Sequence, residues 1–211
     1  MKKISRRLSI KAGLSTALCI VASRKSPATA STITKASTLT NKPPLNHLIR
    51  ALLDTGKPVC ISVADNLRTL PIDTRHYDLH LRNALLDITD VNHIAEAIDT
   101  VAREGGPVLQ SFSMSYNANV GDEGVLTLTR TLPSTLTELG LVECGIKDRG
   151  GNALVDWAAN KSALHWLCVE GNTFTSDTTN RFIDLRMKRN CLLYTSPSPR
   201  DLSTSRMPSS A

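Results

Sequence analysis

Cys168 and His165 are of the residue types that can act together as a nucleophile and its general base. Cys168 alternates with the apolar residues Leu167 and Val169, so a strand would turn its thiol away from the core. His165 directly follows Leu164, the first leucine of the same stretch, and we expect its ring to face elsewhere. The spacing therefore does not favour catalysis by this pair.

Other arrangements of residues that carry out chemistry are missing from the sequence. The cysteines between the two ends of the chain, Cys60, Cys144 and Cys168, are odd in number and cannot form a closed set of disulfides. The five histidines are scattered, and there is no metal-ligand spacing, phosphate-binding loop or nucleophile elbow. We expect no cofactor, no bound metal and no enzymatic activity in this part of the protein.

The positive charge of the chain is concentrated at its N-terminus. The 211 residues carry a net charge of +6. Taking away the seven positive charges of residues 1–30 and the net +1 of residues 191–211 leaves −2 for residues 31–190. A mildly acidic body does not support binding to a nucleic-acid backbone, which depends on clustered Lys and Arg.

Residues 1–30 have the pattern of a signal peptide: a basic segment, the uncharged stretch AGLSTALCIVA, and small residues up to Ala30. The apolar stretch is too short to span a bilayer. The segment resembles a bacterial twin-arginine export signal, with Arg6 and Arg7 as the paired arginines, although Ser9 stands where that family usually has an aromatic residue. An organelle transit peptide, a type III effector leader and an uncleaved tail are alternatives. We expect cleavage after Ala30 and a periplasmic or secreted protein with no stable membrane span.

Residues 191–211 resemble translated sequencing adaptor. CLLYTSPSPRD at 191–201 is similar to a transposon-end adaptor, and SRMPSSA at 205–211 is similar to the flow-cell adaptor that follows it. We interpret this segment as a non-native tail that interrupts the gene after Asn190. A genuine Ser/Pro-rich tail is the alternative. If the gene is interrupted, we expect Val169 and Phe174 to be partly exposed at the end of the chain.

Three stretches of the body repeat with a period of 27 and then 28 residues. A helical segment follows each stretch. One such unit cannot bury its apolar side alone, so we expect the units to stack. The equivalent positions are Leu109, Leu136 and Leu164; Phe112, Leu139 and Leu167; Met114, Leu141 and Val169; Asn117, Cys144 and Asn172; and, in the helices, Leu128, Leu154 and Phe182.

The repeat resembles the leucine-rich repeat of the long, ribonuclease-inhibitor type, LxxLxLxx(N/C)xI followed by a turn such as GDEG and a helix. The resemblance is good over 109–190 and weaker over the rest of 76–190. It implies an α/β solenoid, a short horseshoe arc with parallel strands on the concave side and helices on the convex side. It also implies an interaction scaffold, because such repeats chiefly bind other proteins.

Individual positions have physical roles in this interpretation. The Asn or Cys after each strand can hydrogen-bond backbone groups where the chain turns, and Cys144 is therefore structural. Asp122, Asp148 and, in a weaker first unit with Leu79 and Leu81 on its strand, Asp90 are suited to cap helices.

The N-terminal part of the body is harder to interpret than the repeats. Residues 31–44 are Ser/Thr-rich and closed by two prolines, which indicates a linker. Residues 45–75 are expected to form a capping region, with a helix in LNHLIRALLDTG stopped by Gly56 and a strand at Val59 to Val63.

We expect a protein ligand to bind the outward positions of the concave face, with Trp166 as a hot spot. Trp166 could instead cover an open end of the chain, whereas Trp157 on a helix is expected to pack. The favoured function is an exported protein-binding scaffold; the recognition half of a truncated enzyme or secreted effector, and a GTPase-activating-protein-like repeat domain, are alternatives. The candidate positions are Arg82, Ser113, Ser115, Glu138, Val142, Trp166, Cys168 and Glu170, beside Asp78, His80, Ser111 and Gly140.

Overall fold

A computed structural model describes residues 43–189 of the chain, and the backbone of residues 192–194. The described chain has an α/β fold, with six helices and a parallel sheet. The predicted signal peptide, the linker up to residue 42 and most of the C-terminal tail lie outside the described residues.

The helices and strands alternate along most of the chain. Two helices come first, and from there each strand is followed by a helix. The elements are α1 (Pro43–Asp54), α2 (Pro58–Arg68), β1 (His76–His80), α3 (Ile88–Arg103), β2 (Val108–Ser113), α4 (Gly121–Thr131), β3 (Glu138–Gly140), α5 (Asp148–Ala159), β4 (Trp166–Cys168), α6 (Ser176–Arg189) and β5 (Leu192–Tyr194).

The five strands lie side by side in the order in which they occur in the chain, and all neighbouring pairs are parallel. Phe112 is the partner of Leu139, which in turn is the partner of Leu167. This is the register that the alignment of the three repeated stretches predicts. Between β1 and β2 the register shifts by one residue after Tyr77, where the repeat is weakest in the sequence.

The apolar core lies between the sheet and the helices. In β1, Tyr77 and Leu79 are buried while the residues between and beside them are exposed, as expected for a strand with one covered face. The equivalent helix residues Leu128, Leu154 and Phe182 are each almost fully buried in the same core. The helices therefore cover one face of the sheet, and the opposite face carries the exposed side chains.

The helices α3, α4, α5 and α6 pack against one another in chain order, α1 packs against α3, and α2 packs against α1. The helix predicted before Gly56 is confirmed, because α1 ends at Asp54 and Gly56 has a φ of 66°. Pro43 and Pro44, which the sequence analysis assigned to the linker, instead begin α1. Proline is well tolerated in the first turn of a helix, where its missing N–H would have no partner.

The strand predicted at Val59 to Val63 is wrong, because these residues belong to α2. Their β-branched side chains favour a strand only where the surroundings offer a pleated surface. In the helix, Cys60, Ala64 and Leu67 fall on one side and are buried in the core.

The prediction that Asp90 caps α3 is wrong by three residues. Asp87 is the N-cap, and its side chain accepts hydrogen bonds from the backbone N–H groups of Thr89 and Asp90. The Asp90 carboxylate accepts in return from the Asp87 N–H, which completes a capping box. Asp90 also pairs with Lys57, the N-cap residue of α2.

Asp122 and Asp148 cap helices, but not their own. Asp122 lies in α4 and accepts from backbone groups at the start of α5. Asp148 lies in α5 and accepts from the N–H and the hydroxyl of Thr175, directly before α6. The capping predicted within each unit therefore links each unit to the next.

The expected exposure at the end of the described chain is only partly found. Val169 is buried in the core that also contains Phe182, so its predicted exposure is wrong. Phe174 is half-buried, with its ring centroid 5.3 Å from that of Phe182. The Phe174 ring is therefore covered in part by Phe182 of α6.

The short strand β5 falls in the segment that we interpret as adaptor-derived. It runs parallel to β4, with Leu193 as the partner of Leu167. Backbone pairing of three residues does not depend on the origin of the sequence, and the interpretation of 191–211 stays a prediction.

None of the described helices combines the length and the apolar character needed to cross a membrane.

Candidate functional site

The solvent-facing side of the sheet, which we call the strand face, carries two rows of side chains across β1 to β4. Adjacent members of each row are partners on neighbouring strands, and such strands lie about 4.8 Å apart. The first row is Asp78, Ser111, Glu138 and Trp166, and the second is His80, Ser113, Gly140 and Cys168.

A third row follows directly after the strands. The backbone N–H of Tyr116 donates to the carbonyl of Val142, and that of Glu143 donates to the carbonyl of Glu170, so the ladder continues past the strand ends. The residues of this row are Arg82, Ser115, Val142 and Glu170.

Ser115 does not face solvent, and its predicted place in an exposed binding surface is wrong. Its side chain is 1 % exposed. Its hydroxyl accepts a hydrogen bond from the backbone N–H of Val142, and it lies 3.2 Å from the hydroxyl of Ser113. A serine is short enough to fold back onto the neighbouring backbone, which the alternation of the strand could not reveal.

Three polar side chains on three neighbouring strands form a chain of hydrogen bonds. The hydroxyl of Ser111 donates to Oε2 of Glu138 at 2.9 Å and lies 3.1 Å from Nε2 of His80. Because the hydroxyl proton is directed at the carboxylate, the serine oxygen is left to accept from an Nε2–H. In a serine nucleophile the histidine would have to take that proton. In this hydrogen-bond chain the serine therefore orients the Glu138 carboxylate, and the histidine is not placed to activate the serine.

The two rows border a shallow groove of about 340 Å³. Its polar lining comes from the His80, Ser111 and Glu138 chain and from Ser113. Its remaining lining is Phe112, Leu139, Gly140, Trp166 and Cys168.

Trp166 and Trp157 have different environments, as the sequence analysis expected. Trp166 is 39 % exposed at the edge of the groove, whereas Trp157 is buried in the helix layer with the Lys161 ammonium 5.4 Å from its ring centroid. The exposed indole is the only tryptophan of the described chain that a ligand at the strand face could reach.

Arg82, one of the predicted ligand-binding residues, is engaged within the chain. Its guanidinium lies 5.0 Å from the ring centroid of Tyr116, an arrangement in which the ring face attracts the cation. Tyr116 itself is 40 % exposed and was missed from the sequence.

The sequence feature that could have identified Tyr116 is its position in the repeat, one residue before the Asn or Cys position of each unit. The last unit has a glycine, Gly171, at this position, which indicates a left-handed backbone. The φ values there are positive in all four units: 50° for Asn83, 65° for Tyr116, 50° for Glu143 and 68° for Gly171.

The structural repeat positions are buried, except for Asn172, which is half-buried. The side chain of Asn117 hydrogen-bonds backbone groups where the chain turns. Its amide N–H groups donate to the carbonyls of Leu81 and Met114, and its amide oxygen accepts from the N–H of Leu86. Asn172, in the unit of β4, makes the equivalent contacts: its amide donates to the carbonyls of Leu141 and Val169, and its oxygen accepts from the N–H groups of Cys144 and Ile146. The leucines of the strands, Leu109, Leu136, Leu139, Leu141, Leu164 and Leu167, are all buried.

The buried cysteines are poorly suited to nucleophilic chemistry. Burial raises the pKa of the Cys144 thiol to about 11, and its sulfur lies 3.3 Å from the carbonyl oxygen of Met114. Burial also raises the pKa of Cys60. Both thiols stay protonated at neutral pH, and the thiolate is the reactive form. Cys168 is half-buried and lines the groove, but His165 is not among the lining residues.

In the part of the chain that the structure describes, no group of three His, Cys, Asp or Glu residues is placed to hold a metal ion. No known protein-family model matches the chain, and no curated protein has a significantly similar sequence.

Proposed function

We propose that residues 76–190 form a leucine-rich-repeat solenoid of the long, ribonuclease-inhibitor type. The period of 27 and 28 residues supports this proposal, together with the in-register pairing of Phe112, Leu139 and Leu167. The matching hydrogen bonds of Asn117 and Asn172 add a second, independent likeness between units. The helices α1 and α2 would then serve as the N-terminal cap.

We further propose that the chain is an exported scaffold that binds another protein through its strand face, without enzymatic activity. One observation carries this proposal: a tryptophan that is 39 % exposed lies next to a groove in the sheet face that carries the exposed side chains. Large aromatic side chains are enriched among the residues that dominate protein interfaces. The hydrogen-bond order of His80, Ser111 and Glu138 does not favour a hydrolase.

Site-specific photo-crosslinking in the full chain tests the proposal. A photoreactive amino acid is placed at Asp78 on the strand face or, as the control, at Glu96 on the outer side of α3, and both are exposed. We expect an extract of the source cells to give a protein adduct at position 78 and none at position 96. The adducted protein is then identified, purified and titrated against the wild-type chain.

A variant that fills the groove completes the test. Ser113→Arg is expected to weaken binding of the purified partner at least tenfold, and Glu96→Arg to leave it unchanged. Thermal unfolding of both variants shows whether they are folded. Equal adducts at both positions, or unchanged binding by folded Ser113→Arg, would contradict a binding surface on the strand face.

A further inference from the structure

We infer that the groove on the strand face receives an arginine side chain from a basic segment of the partner, held between the Glu138 carboxylate and the Trp166 indole. The inference rests on the proposed function, because it names the chemistry of the protein bound at the same surface.

The Glu138 carboxylate is oriented but not neutralised. The hydroxyl of Ser111 donates to its Oε2 at 2.9 Å, which holds the carboxylate at the groove. Within residues 43–189, no Lys or Arg forms an ion pair with it. An exposed carboxylate that is already fixed in place loses little side-chain entropy when a cation binds.

The ion pairs within residues 43–189 involve acids in or next to the helices, as in Asp99 with Arg103, Glu123 with Arg149 and Asp156 with Arg181. Asp78 and Glu138 on the strand face have no such partner among the described residues. Both carboxylates are therefore available to a positive charge from a bound protein.

Trp166 lies beside Glu138 in the right place to complete a guanidinium site. The two residues are partners on neighbouring strands, and the indole is partly exposed. A guanidinium can stack on an aromatic face while its N–H groups donate to a carboxylate, whereas an ammonium acts mainly as a point charge. The pair therefore fits arginine better than lysine.

The groove also accommodates the aliphatic part of an arginine. The side chains of Phe112 and Leu139 are buried in the core, so the accessible apolar lining comes from the Trp166 indole and the half-buried Cys168. Apolar surface of this kind packs against the methylene groups of long basic side chains. Gly140 keeps the groove open, because a Cβ at this position would lie 2.8 Å from the hydroxyl oxygen of Ser113.

The charges around the groove favour a basic partner over an acidic one. Carboxylates occur on the first and third rows, at Asp78, Glu138 and Glu170, and just beyond the third row at Glu143. The one arginine of these rows, Arg82, lies against Tyr116. Opposite charge across an interface speeds association and disfavours like-charged competitors.

NMR of the full chain with a defined probe tests the inference. The probe is the peptide acetyl-Gly-Arg-Gly-Arg-Gly-amide, and its control replaces arginine with citrulline, which has a similar shape and no charge. The two indole N–H signals are assigned with Trp166→Phe, so the buried Trp157 serves as an internal reference. We expect the arginine peptide to shift the Trp166 signal in a saturable way, with little change at Trp157.

Two carboxylate variants make the test specific. Glu138→Gln is expected to weaken peptide binding about tenfold or more, and citrulline to have a similar effect in the wild type. Glu96→Gln, which removes an exposed carboxylate of α3, is expected to change nothing. Equal shifts with the citrulline peptide, or unchanged binding by folded Glu138→Gln, would overturn the arginine site.

The outcomes also separate this inference from the proposed function. If a partner crosslinks to the strand face and binds Glu138→Gln as tightly as wild type, the binding surface stands and the arginine site is wrong. If no adduct forms at position 78 and the arginine peptide does not shift Trp166, both are wrong.

Discussion

Asp122 in α4 accepts a hydrogen bond from the backbone N–H of Gly150 in the first turn of α5, at 3.0 Å. The same oxygen accepts from the N–H of Lys147 at 2.8 Å. The start of one helix is therefore capped by the helix before it. A side chain that normally stabilises a single helix here joins two neighbouring units.

We expect Asp122→Ala to lower the free energy of unfolding by about 1–2 kcal/mol, because it leaves N–H groups of α5 without a partner. Asp177→Ala is the control: Asp177 is in the first turn of α6, and its carboxylate accepts no hydrogen bond among the described residues. It should lose only the interaction with the helix dipole, about 0.3–1 kcal/mol. Urea unfolding measures both. Equal losses would show that the link between α4 and α5 adds nothing.

Asp148 should make stability depend on pH. Hydrogen bonds from Thr178 and from the backbone and side chain of Thr175 lower its pKa below the ordinary value of 3.8. The stability that ionised Asp148 contributes is therefore fully present above the pKa that Asp148 has in the unfolded chain. It is lost as the pH falls through the lower pKa that Asp148 has in the folded protein.

The variant Asp148→Asn should lack this pH dependence. We expect its melting temperature to lie below that of wild type at about pH 6 and the gap to narrow toward about pH 3. Asp184→Asn, an exposed site on α6, should follow the wild-type profile throughout. A constant gap between wild type and Asp148→Asn over this range would contradict the assignment. Differential scanning calorimetry gives the melting temperatures.

Asn117 and Asn172 make equivalent hydrogen bonds but differ in burial. Comparing their alanine variants therefore separates the effect of losing the hydrogen bonds from the effect of leaving buried polar groups without water. Asn117 is 2 % exposed, whereas Asn172 is half-buried. Asn117→Ala leaves buried backbone groups unsatisfied, at about 1–3 kcal/mol for each group. Water can reach the groups around position 172 more easily, so Asn172→Ala should cost less. The free energies of unfolding are measured with urea. A loss for Asn172→Ala that equals or exceeds the loss for Asn117→Ala would contradict this account.

The three cysteines of the described chain should differ in reactivity. The thiols of Cys60 and Cys144 are buried and have raised pKa values, whereas Cys168 is half-buried at the groove. At neutral pH we expect a thiol reagent to modify Cys168 first, as followed by mass spectrometry of peptides. The denatured chain, in which all three should react alike, is the control. Faster labelling of Cys144 than of Cys168 in the native protein would contradict the burial described here.

The export signal is testable in a bacterial host. We expect cleavage after Ala30, and we expect replacement of Arg6 and Arg7 by lysine to block translocation, since twin-arginine signals depend on the arginine pair. N-terminal sequencing of the exported protein locates the cleavage site. Exported material that still begins at Met1 would exclude a cleaved signal.

Several features of the fold could be predicted because they repeat. Phe112, Leu139 and Leu167 recur at one position in successive stretches, and a recurring apolar side chain must meet its equivalent when the units stack. Glu138 and Trp166 were placed on the exposed face by the alternation of the strand alone. Where the repeat is weak, the same reasoning failed, and α2 was taken for a strand.

The chemistry of the strand face depended on distances between strands. The sequence placed His80, Ser111 and Glu138 on one face, but 27 or more residues separate consecutive members, and only the register of the sheet brings their polar atoms together. The same is true of Arg82 and Tyr116, and of the buried Ser115.

The sequence by itself determined the period of the units, the division of each strand into a buried and an exposed side, and the separation of a basic N-terminus from a mildly acidic body. These properties follow from the order of apolar and charged residues along the chain, which local geometry converts directly into faces. Only the tertiary structure decided which helix each aspartate caps, which carboxylates have no basic partner within residues 43–189, and how the groove forms beside Trp166. Those properties depend on side chains from different units, whose positions are set by packing and hydrogen bonding between the units.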